Sequence, residues 1–420
     1  MVTNFRMLGA TLLVAGTTIG AGMLVLPITT GIIGFYPSLL IFLFAAAFML
    51  YNLLLLLEVN LWLPKGSDII SMVKTILGKH AGWLALFVYL GLFYSVMSAY
   101  ISAGNPYIRE LLQQAFQIKL TDSASTLLLV FVLAFFLYLG TKAIDNLNRL
   151  LMTGLVICFI MLISFSASSI DTLNLTVSEP KYVWSVIPVI VLSFTSHLIV
   201  PSLREYLKED RAKLTKVLIF GSLIPLVIYI VWQFVILGVL SNEMMQYVII
   251  NDKPLVMMTN SMATSLGNPA VSQTSSFFIF FAVITSLLGV SISLFHLMSD
   301  YLNTKRTIIL LPAVLALPTI CVLFYNSIFV SALKMAGICI IVLFSILTIL
   351  MTWKGRYIDK RVSTYKTPGG KITLASMLIV SVFILFLEFS NVFFDWLPDA
   401  KTDLTLELQK SAYVGGNSIH

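Results

Sequence analysis

Charge is what this sequence has least of. Only 11% of its 420 residues are Asp, Glu, Lys or Arg, against 59% hydrophobic, and the mean hydropathy is +0.97. A water-soluble protein of this size needs a charged coat, so the composition excludes one and points to a polytopic helical membrane protein. Cysteine is scarce as well: Cys158, Cys321 and Cys339 all lie inside apolar stretches without C-x-x-C spacing and read as packing residues, silent on redox compartment. Four scattered histidines, His80, His197, His296 and His420, do not supply the cluster that a membrane-embedded enzyme would need, and no nucleotide motif or pore-lining charged ring is present. No polar stretch is long enough for a soluble domain. The longest, Asn242 to Gln273 and the tail from Asp395, read as too short and irregular to hold a catalytic core. These absences exclude an enzyme and leave no cofactor to expect.

What the chain does have is about eleven apolar runs of roughly 20 residues. They lie near 7–34, 36–63, 82–113, 125–141, 150–169, 183–207, 217–241, 274–302, 308–325, 328–353 and 372–394. The first follows Arg6 closely but runs too far for a signal peptide and shows no small-residue cleavage site, so it reads as retained. With the N-terminus inside, 19 of the 26 Lys and Arg fall on the cytoplasmic side and 7 on the other, a positive-inside asymmetry consistent with an odd number of crossings. The net charge of +7 therefore needs no nucleic-acid partner; the lipid bilayer accounts for it.

Two of these runs are interrupted at membrane depth. The first breaks at G-T-T-I-G-A-G, Gly16 to Gly22, before resuming to Pro27; the sixth has Pro188, a polar cluster from Ser193 to His197, then Pro201. Hydrocarbon cannot satisfy freed backbone groups, so such breaks survive where protein, water or a ligand does. Gly22-Met-Leu-Val-Leu-Pro27 also echoes Ser196-His-Leu-Ile-Val-Pro201. Joining span one to span six is the offset expected of five helices repeated in inverted orientation, and broken helices in corresponding positions point to a transporter's central site.

Such a site suits a zwitterion. The second half of helix 1 begins near Gly20 to Gly22, where bare N–H groups and the positive helix end can hold a carboxylate while glycine lets it approach. The first half of helix 6 ends near Ser193 and Phe194, whose carbonyls can accept from an ammonium group. The substrate-binding candidates are therefore Thr17, Thr18, Ile19, Gly20, Ala21 and Gly22 on the first span, Ser193, Phe194, Thr195, Ser196 and His197 on the sixth, and Tyr94 on the third, where Tyr100 and Asn105 are ambiguous. Close helix packing is the competing explanation of the glycines. If they cradle a carboxylate, Gly20→Val or Gly22→Val abolishes binding and spares membrane insertion.

Ionisable groups at depth are functional candidates by default. His197, beside the helix 6 break, titrates in the range a proton-coupling residue needs, and Glu58 closes span two. Thr285 and Ser286, with carbonyls near Ala15 and Thr18, offer a sodium alternative. His296 with Asp300 is spaced as an i,i+4 pair and reads as structural, and Asp145 with Arg149 reads as an interfacial, solvated i,i+4 pair.

V-A-G-T-T-I-G-A-G-M-L-V-L-P at Val14 to Pro27, L-L-L-L-E-V at Leu54 to Val59, A-Y-I-S at Ala99 to Ser102, I-P-V-I at Ile187 to Ile190, S-H-L-I-V-P-S-L at Ser196 to Leu203 and I-P-L-V-I-Y-I-V-W-Q at Ile224 to Gln233 resemble the bacterial aromatic amino acid permeases, most of all the tyrosine-specific ones. The resemblance implies a leucine-transporter-type fold, all-α and polytopic: helices 1–5 over residues 1–169, their inverted repeat over 183–353, an eleventh transmembrane helix over 372–394 and a polar tail over 395–420. It further implies proton symport of tyrosine, or of tryptophan or phenylalanine, across a bacterial inner membrane. Two departures stand out. Thr195-Ser196 precede His197 where the family usually has glycine and an aromatic residue, and no lysine occurs on helix 5 from Leu150 to Ser164, where several proton-coupled relatives resemble one another in having one. A sodium-coupled or broad neutral amino acid carrier and an amino acid sensor are the competing readings.

Overall fold

An apolar segment without water must satisfy its backbone internally, and the helix is the one solution open to a single segment. The computed structural model, which describes residues 2–325, 328–362, 365–394 and 396–407, is accordingly helical, with no strand among those residues. Side chains at 2–5, 21, 114 and 115, and positions 408–420 of the expected tail, lie outside the described residues. In chain order the helices are α1 (Val2–Thr18), α2 (Ala21–Thr30), α3 (Phe35–Leu61), α4 (Ile69–Leu77), α5 (Lys79–Phe116), α6 (Asp122–Leu139), α7 (Thr141–Ser166), α8 (Val183–Ser193), α9 (Val200–Tyr206), α10 (Arg211–Val239), α11 (Asn242–Ile250), α12 (Pro254–Leu266), α13 (Pro269–Tyr301), α14 (Thr307–Phe324), α15 (Phe329–Ile340), α16 (Leu347–Tyr357) and α17 (Lys371–Phe393). Among the described residues ten spans are long and apolar enough to cross a membrane, and the bent pair α1–α2 makes eleven, as the hydropathy predicts. The sixth is α8 with α9, and the tenth is α15 and α16 joined by a π-helical segment, Ile341–Ile346.

The stretch from Asn242 to Gln273, expected to be irregular, is instead two helices and the first turn of α13. Its apolar residues recur at helical spacing, so Met245 and Val248 of α11 and Leu255, Met258 and Met262 of α12 are buried, and both helices pack on α2. Ser241 caps α11 by accepting from the Met244 N–H, and Pro254 opens α12. Asp122 ties the assembly together: it accepts from Arg109 of α5 and, at 3.0 Å, from Lys253 beside α12. Part of the tail is ordered too. Residues 400–407 are helical, Leu404 is buried, and Asp403 accepts from the Tyr182 hydroxyl at 3.0 Å.

On the opposite face, where the N-terminus lies, a buried ion pair joins three elements. Arg356 of α16 grips Glu58 of α3 through two parallel hydrogen bonds, the Thr367 N–H adds a third at 2.7 Å, and Arg356 also donates to the Thr367 carbonyl. Nearby, Arg204 of α9 donates to the carbonyls of Asn60 and Leu63, and its bond to Glu209 holds that carboxyl below its ordinary range. The two sequence-spaced pairs do not form: Asp145 and Arg149, like His296 and Asp300, are exposed with no ion pair between them, since solvation outweighs a surface contact.

Candidate functional site

Both predicted breaks are present. α1 ends at Thr18, Ile19 and Gly20 leave the helix, and α2 starts at Ala21 with its axis bent by 45°. No side chain caps the new N-terminus; the Met23 N–H bonds back to the Gly20 carbonyl at 3.3 Å, and the N–H groups before it are not claimed by a capping side chain. α8 ends at Ser193; Phe194, Thr195 and Ser196 are non-helical, and a single 3₁₀ turn, His197–Ile199, leads into α9.

The freed carbonyl ends converge on one side chain that sequence reasoning passed over. The Tyr229 hydroxyl, fully buried on α10, donates to the carbonyl of Thr18 at 2.6 Å and to that of Ser193 at 3.0 Å. One phenol proton thus serves the last carbonyl of each broken half-helix. The signal was present as Tyr229 within I-P-L-V-I-Y-I-V-W-Q, but an apolar run gives no indication of which residue faces a break.

Between these ends lies a cavity of about 130 Å³, on the order of ten times the ~10–15 Å³ that one water needs. Thr17, Thr18, Gly20 and Gly22 line it from the first span and Ser193 and Thr195 from the sixth. Phe93 and Tyr100 of α5, Val290 of α13, and Phe344 of the π-helical segment complete a largely apolar and aromatic wall. The Thr195 hydroxyl, out of solvent and without a hydrogen-bond partner, is a polar group awaiting one. π-helical turns recur at functional sites because they re-aim a side chain, and here the turn presents Phe344.

The remaining candidates sit elsewhere. Tyr94 does not line the cavity: its hydroxyl donates to the Ala313 carbonyl on α14 at 2.6 Å, and Tyr100, nearly two turns on, lines the wall. Asn105 belongs to a packing network with Ser125 and Thr126. Phe194 turns its ring against Tyr229 and Phe42, Ser196 is buried, and Ile19 packs into the core; Ala21's side chain lies outside the described residues. His197 is 1% exposed, its two ring nitrogens have no partner, and it stacks on Phe344 at 5.1 Å. Glu58 is away from the cavity, inside the ion pair described above. Of the sodium candidates, the Thr285 hydroxyl turns to carbonyls of its own helix, while Ser286 reaches the break: a Cβ on Gly20 would fall 2.8 Å from its Oγ. The carbonyls near them are engaged, Thr18 by Tyr229 and Ala15 by the Ile19 N–H at 3.0 Å.

The two glycines differ. A Cβ on Gly20 would meet only side-chain atoms, of Ser286 and, at 3.3 Å, Tyr100. On Gly22 it would fall 2.8 Å from Cβ and 3.0 Å from Cα of Ser193, so this glycine is where α2 and α8 touch. Close helix packing, the competing explanation, is an observed role of Gly22.

The chain is 31% identical over 391 residues to tyrosine-specific transport system 2 of Haemophilus influenzae, covering 91% of this chain and 95% of that protein. It is 30% identical to the tryptophan-specific transport protein of the same organism, covering 90% and 94%, and 27% identical to glutamine transporter 2 of Aliivibrio fischeri, covering 91% and 99%. Among solved structures a manganese transporter of Eremococcus coleocola superposes with a TM-score of 0.59 at 14% identity, over 97% of this chain and 91% of that one. That likeness shows the fold, of the leucine-transporter type, and nothing of the cargo. The model of the tryptophan/tyrosine permease family matches residues 3–388, so the chain belongs to that family: it is a multi-pass membrane transport protein and not an enzyme.

Proposed function

We propose that this protein imports aromatic amino acids, tyrosine foremost, by proton symport with alternating access. The observation that carries the proposal is the cavity between the two broken helices, with the uncapped start of α2 on one side, Ser193 and Thr195 on another, and Phe93, Tyr100 and Phe344 around it. A carboxylate suits the N–H end, and an ammonium group suits carbonyl and hydroxyl oxygens. The aromatic wall suits a ring, which gains about 0.5–1.5 kcal/mol per aromatic contact beyond its buried area. The names of the tyrosine- and tryptophan-specific relatives support the same cargo. The two broken spans support alternating access, because each half-helix can tilt while its partner half stays. The positive-inside asymmetry supports an N-terminus on the cytoplasmic side of a bacterial inner membrane.

Protons are favoured over sodium because His197, at the break in the sixth span, is a side chain that can titrate. The test is uptake of labelled tyrosine into proteoliposomes, with each common amino acid as competitor and with proton and sodium gradients imposed separately. Tyrosine, tryptophan and phenylalanine should compete best, and an inward proton gradient alone should drive accumulation. Equal competition by serine, leucine or glutamine would replace the aromatic assignment with a broad neutral one, and accumulation driven by sodium alone would replace the ion.

A further inference from the structure

We infer that Glu388, on the eleventh span, is a proton-binding site that acts on the half of the sixth span nearest the proposed outer face. Glu388 is completely buried, and both of its carboxyl oxygens lack a hydrogen-bond partner. It lies against bare backbone: a Cβ on Gly337 of α15 would fall 3.3 Å from its Oε1 and 3.9 Å from the carbonyl oxygen of Pro188 in α8. Pro188, Gly337 and Glu388 thus meet at one level, Pro188 five residues into α8 and Glu388 five residues, about 7.5 Å of helix, from the end of α17. An ionised carboxylate without a partner at that depth carries a desolvation cost of several kcal/mol, whereas a protonated carboxyl is a short polar group that α8 and α15 can enclose.

The ionised form has one place to turn. Lys334, also five residues into its helix, is one turn before Gly337 on α15 and is the charge that acts on Glu388 electrostatically. Among the described residues no other charged group faces the carboxyl: α8 carries none, the π-helical segment none, and Lys354, Arg356 and Tyr357 of α16 lie at the opposite end of the span. Beyond the α8 start, Tyr182 is already bonded to Asp403, and Cys339 of α15 lies toward Gly91 on α5. Loss of the proton therefore favours a rearrangement in which α17 and α15 shift to join the carboxylate to Lys334, and α8 loses the surface it rests on. Two turns along α17, Ser381 bonds to Ser345 of the π-helical segment at 2.7 Å, and the adjacent Phe344 stacks on His197. The proton site on the eleventh span is thus in contact, through that segment, with the broken helix at the cavity.

This rests on the proton-symport reading and is tested apart from it. Tyrosine exchange at equal pH, accumulation under an inward gradient of one pH unit, and the infrared C=O band of protonated carboxyls as a function of pH are measured for wild type, Glu388→Gln, Lys334→Met and, in parallel, His197→Gln. One pH unit sustains up to about tenfold accumulation at one proton per tyrosine. Glu388→Gln, which keeps the shape of the neutral acid, should keep exchange, lose that tenfold accumulation and lack a carboxyl band that the wild type loses at alkaline pH. Lys334→Met should displace the wild-type band and the pH profile of accumulation to more alkaline values. Wild-type accumulation by Glu388→Gln, or no titrating band assignable to Glu388, overturns the site. A wild type that ignores the proton gradient but shows the Glu388 band responding to tyrosine would sink proton symport and leave the proton site standing.

Discussion

A phenol has one proton to give, and Tyr229 offers it to two carbonyls at 2.6 and 3.0 Å. In a buried site both acceptors would otherwise be under-satisfied, at about 1–3 kcal/mol for a group left without any partner. Removing the hydroxyl releases the ends of α1 and α8 together, so Tyr229→Phe is expected to melt at a lower temperature and to bind tyrosine at least roughly fivefold more weakly, the equivalent of about 1 kcal/mol. Differential scanning fluorimetry and calorimetric titration check it, and wild-type values for both would show that the ends are held by something else. The sodium alternative bears on the same residue. With the phenol gone the Thr18 carbonyl is exposed, so sodium-dependent binding appearing only in Tyr229→Phe would show that the hydroxyl stands where a cation otherwise belongs.

At the scale of elements, the pair that matters is α2 against α8, which touch through Gly22 and Ser193. The sequence located this pair: G-T-T-I-G-A-G and the Ser193 to His197 cluster are legible because polar and glycine residues interrupt apolar runs, and the breaks fall at Ile19–Gly20 and Phe194–Ser196 as expected. Which glycine does what was not legible, since spacing alone does not tell a ligand-facing Cα from a helix-facing one. Gly22→Ala is therefore expected to cost stability as well as binding, about 1–3 kcal/mol of overpacking against Ser193, whereas Gly20→Ala meets only movable side chains and should mainly lower affinity. Thermal melting beside tyrosine titration separates the two, and a Gly22→Ala variant with wild-type melting but no binding would restore the carboxylate cradle to Gly22. The π-helical segment at Ile341–Ile346 had no sequence signal at all. It arises where the tenth span packs on α17 and α3 and must still turn Phe344 to the cavity.

For the whole molecule, the Glu58–Arg356 pair decides whether the tenth span and the loop around Thr367 stay joined to the second. Both side chains are almost fully buried, so removing one charge strands the other, at about 3–5 kcal/mol. Glu58→Gln should accordingly lower the melting temperature while folded protein keeps its tyrosine affinity and its response to a proton gradient. Normal melting with lost proton-driven uptake would instead make Glu58 the coupling group that its place in the sequence suggested.

Hydropathy and charge asymmetry determined the solvent, the eleven crossings and the two broken spans, because those depend on what each residue prefers along its own segment. Short motifs, the most specific of them at the breaks, carried the resemblance to the family. Tertiary structure decided everything that depends on which face of a helix meets which neighbour. It took Tyr94 out of the cavity and put Tyr100 in, gave Tyr229 two carbonyls, enclosed His197 and Glu388 without partners, and used Glu58 in an ion pair. In a span that is apolar on every side the pattern carries no phase, so the inward face is set only when eleven spans find the arrangement that satisfies their few polar groups.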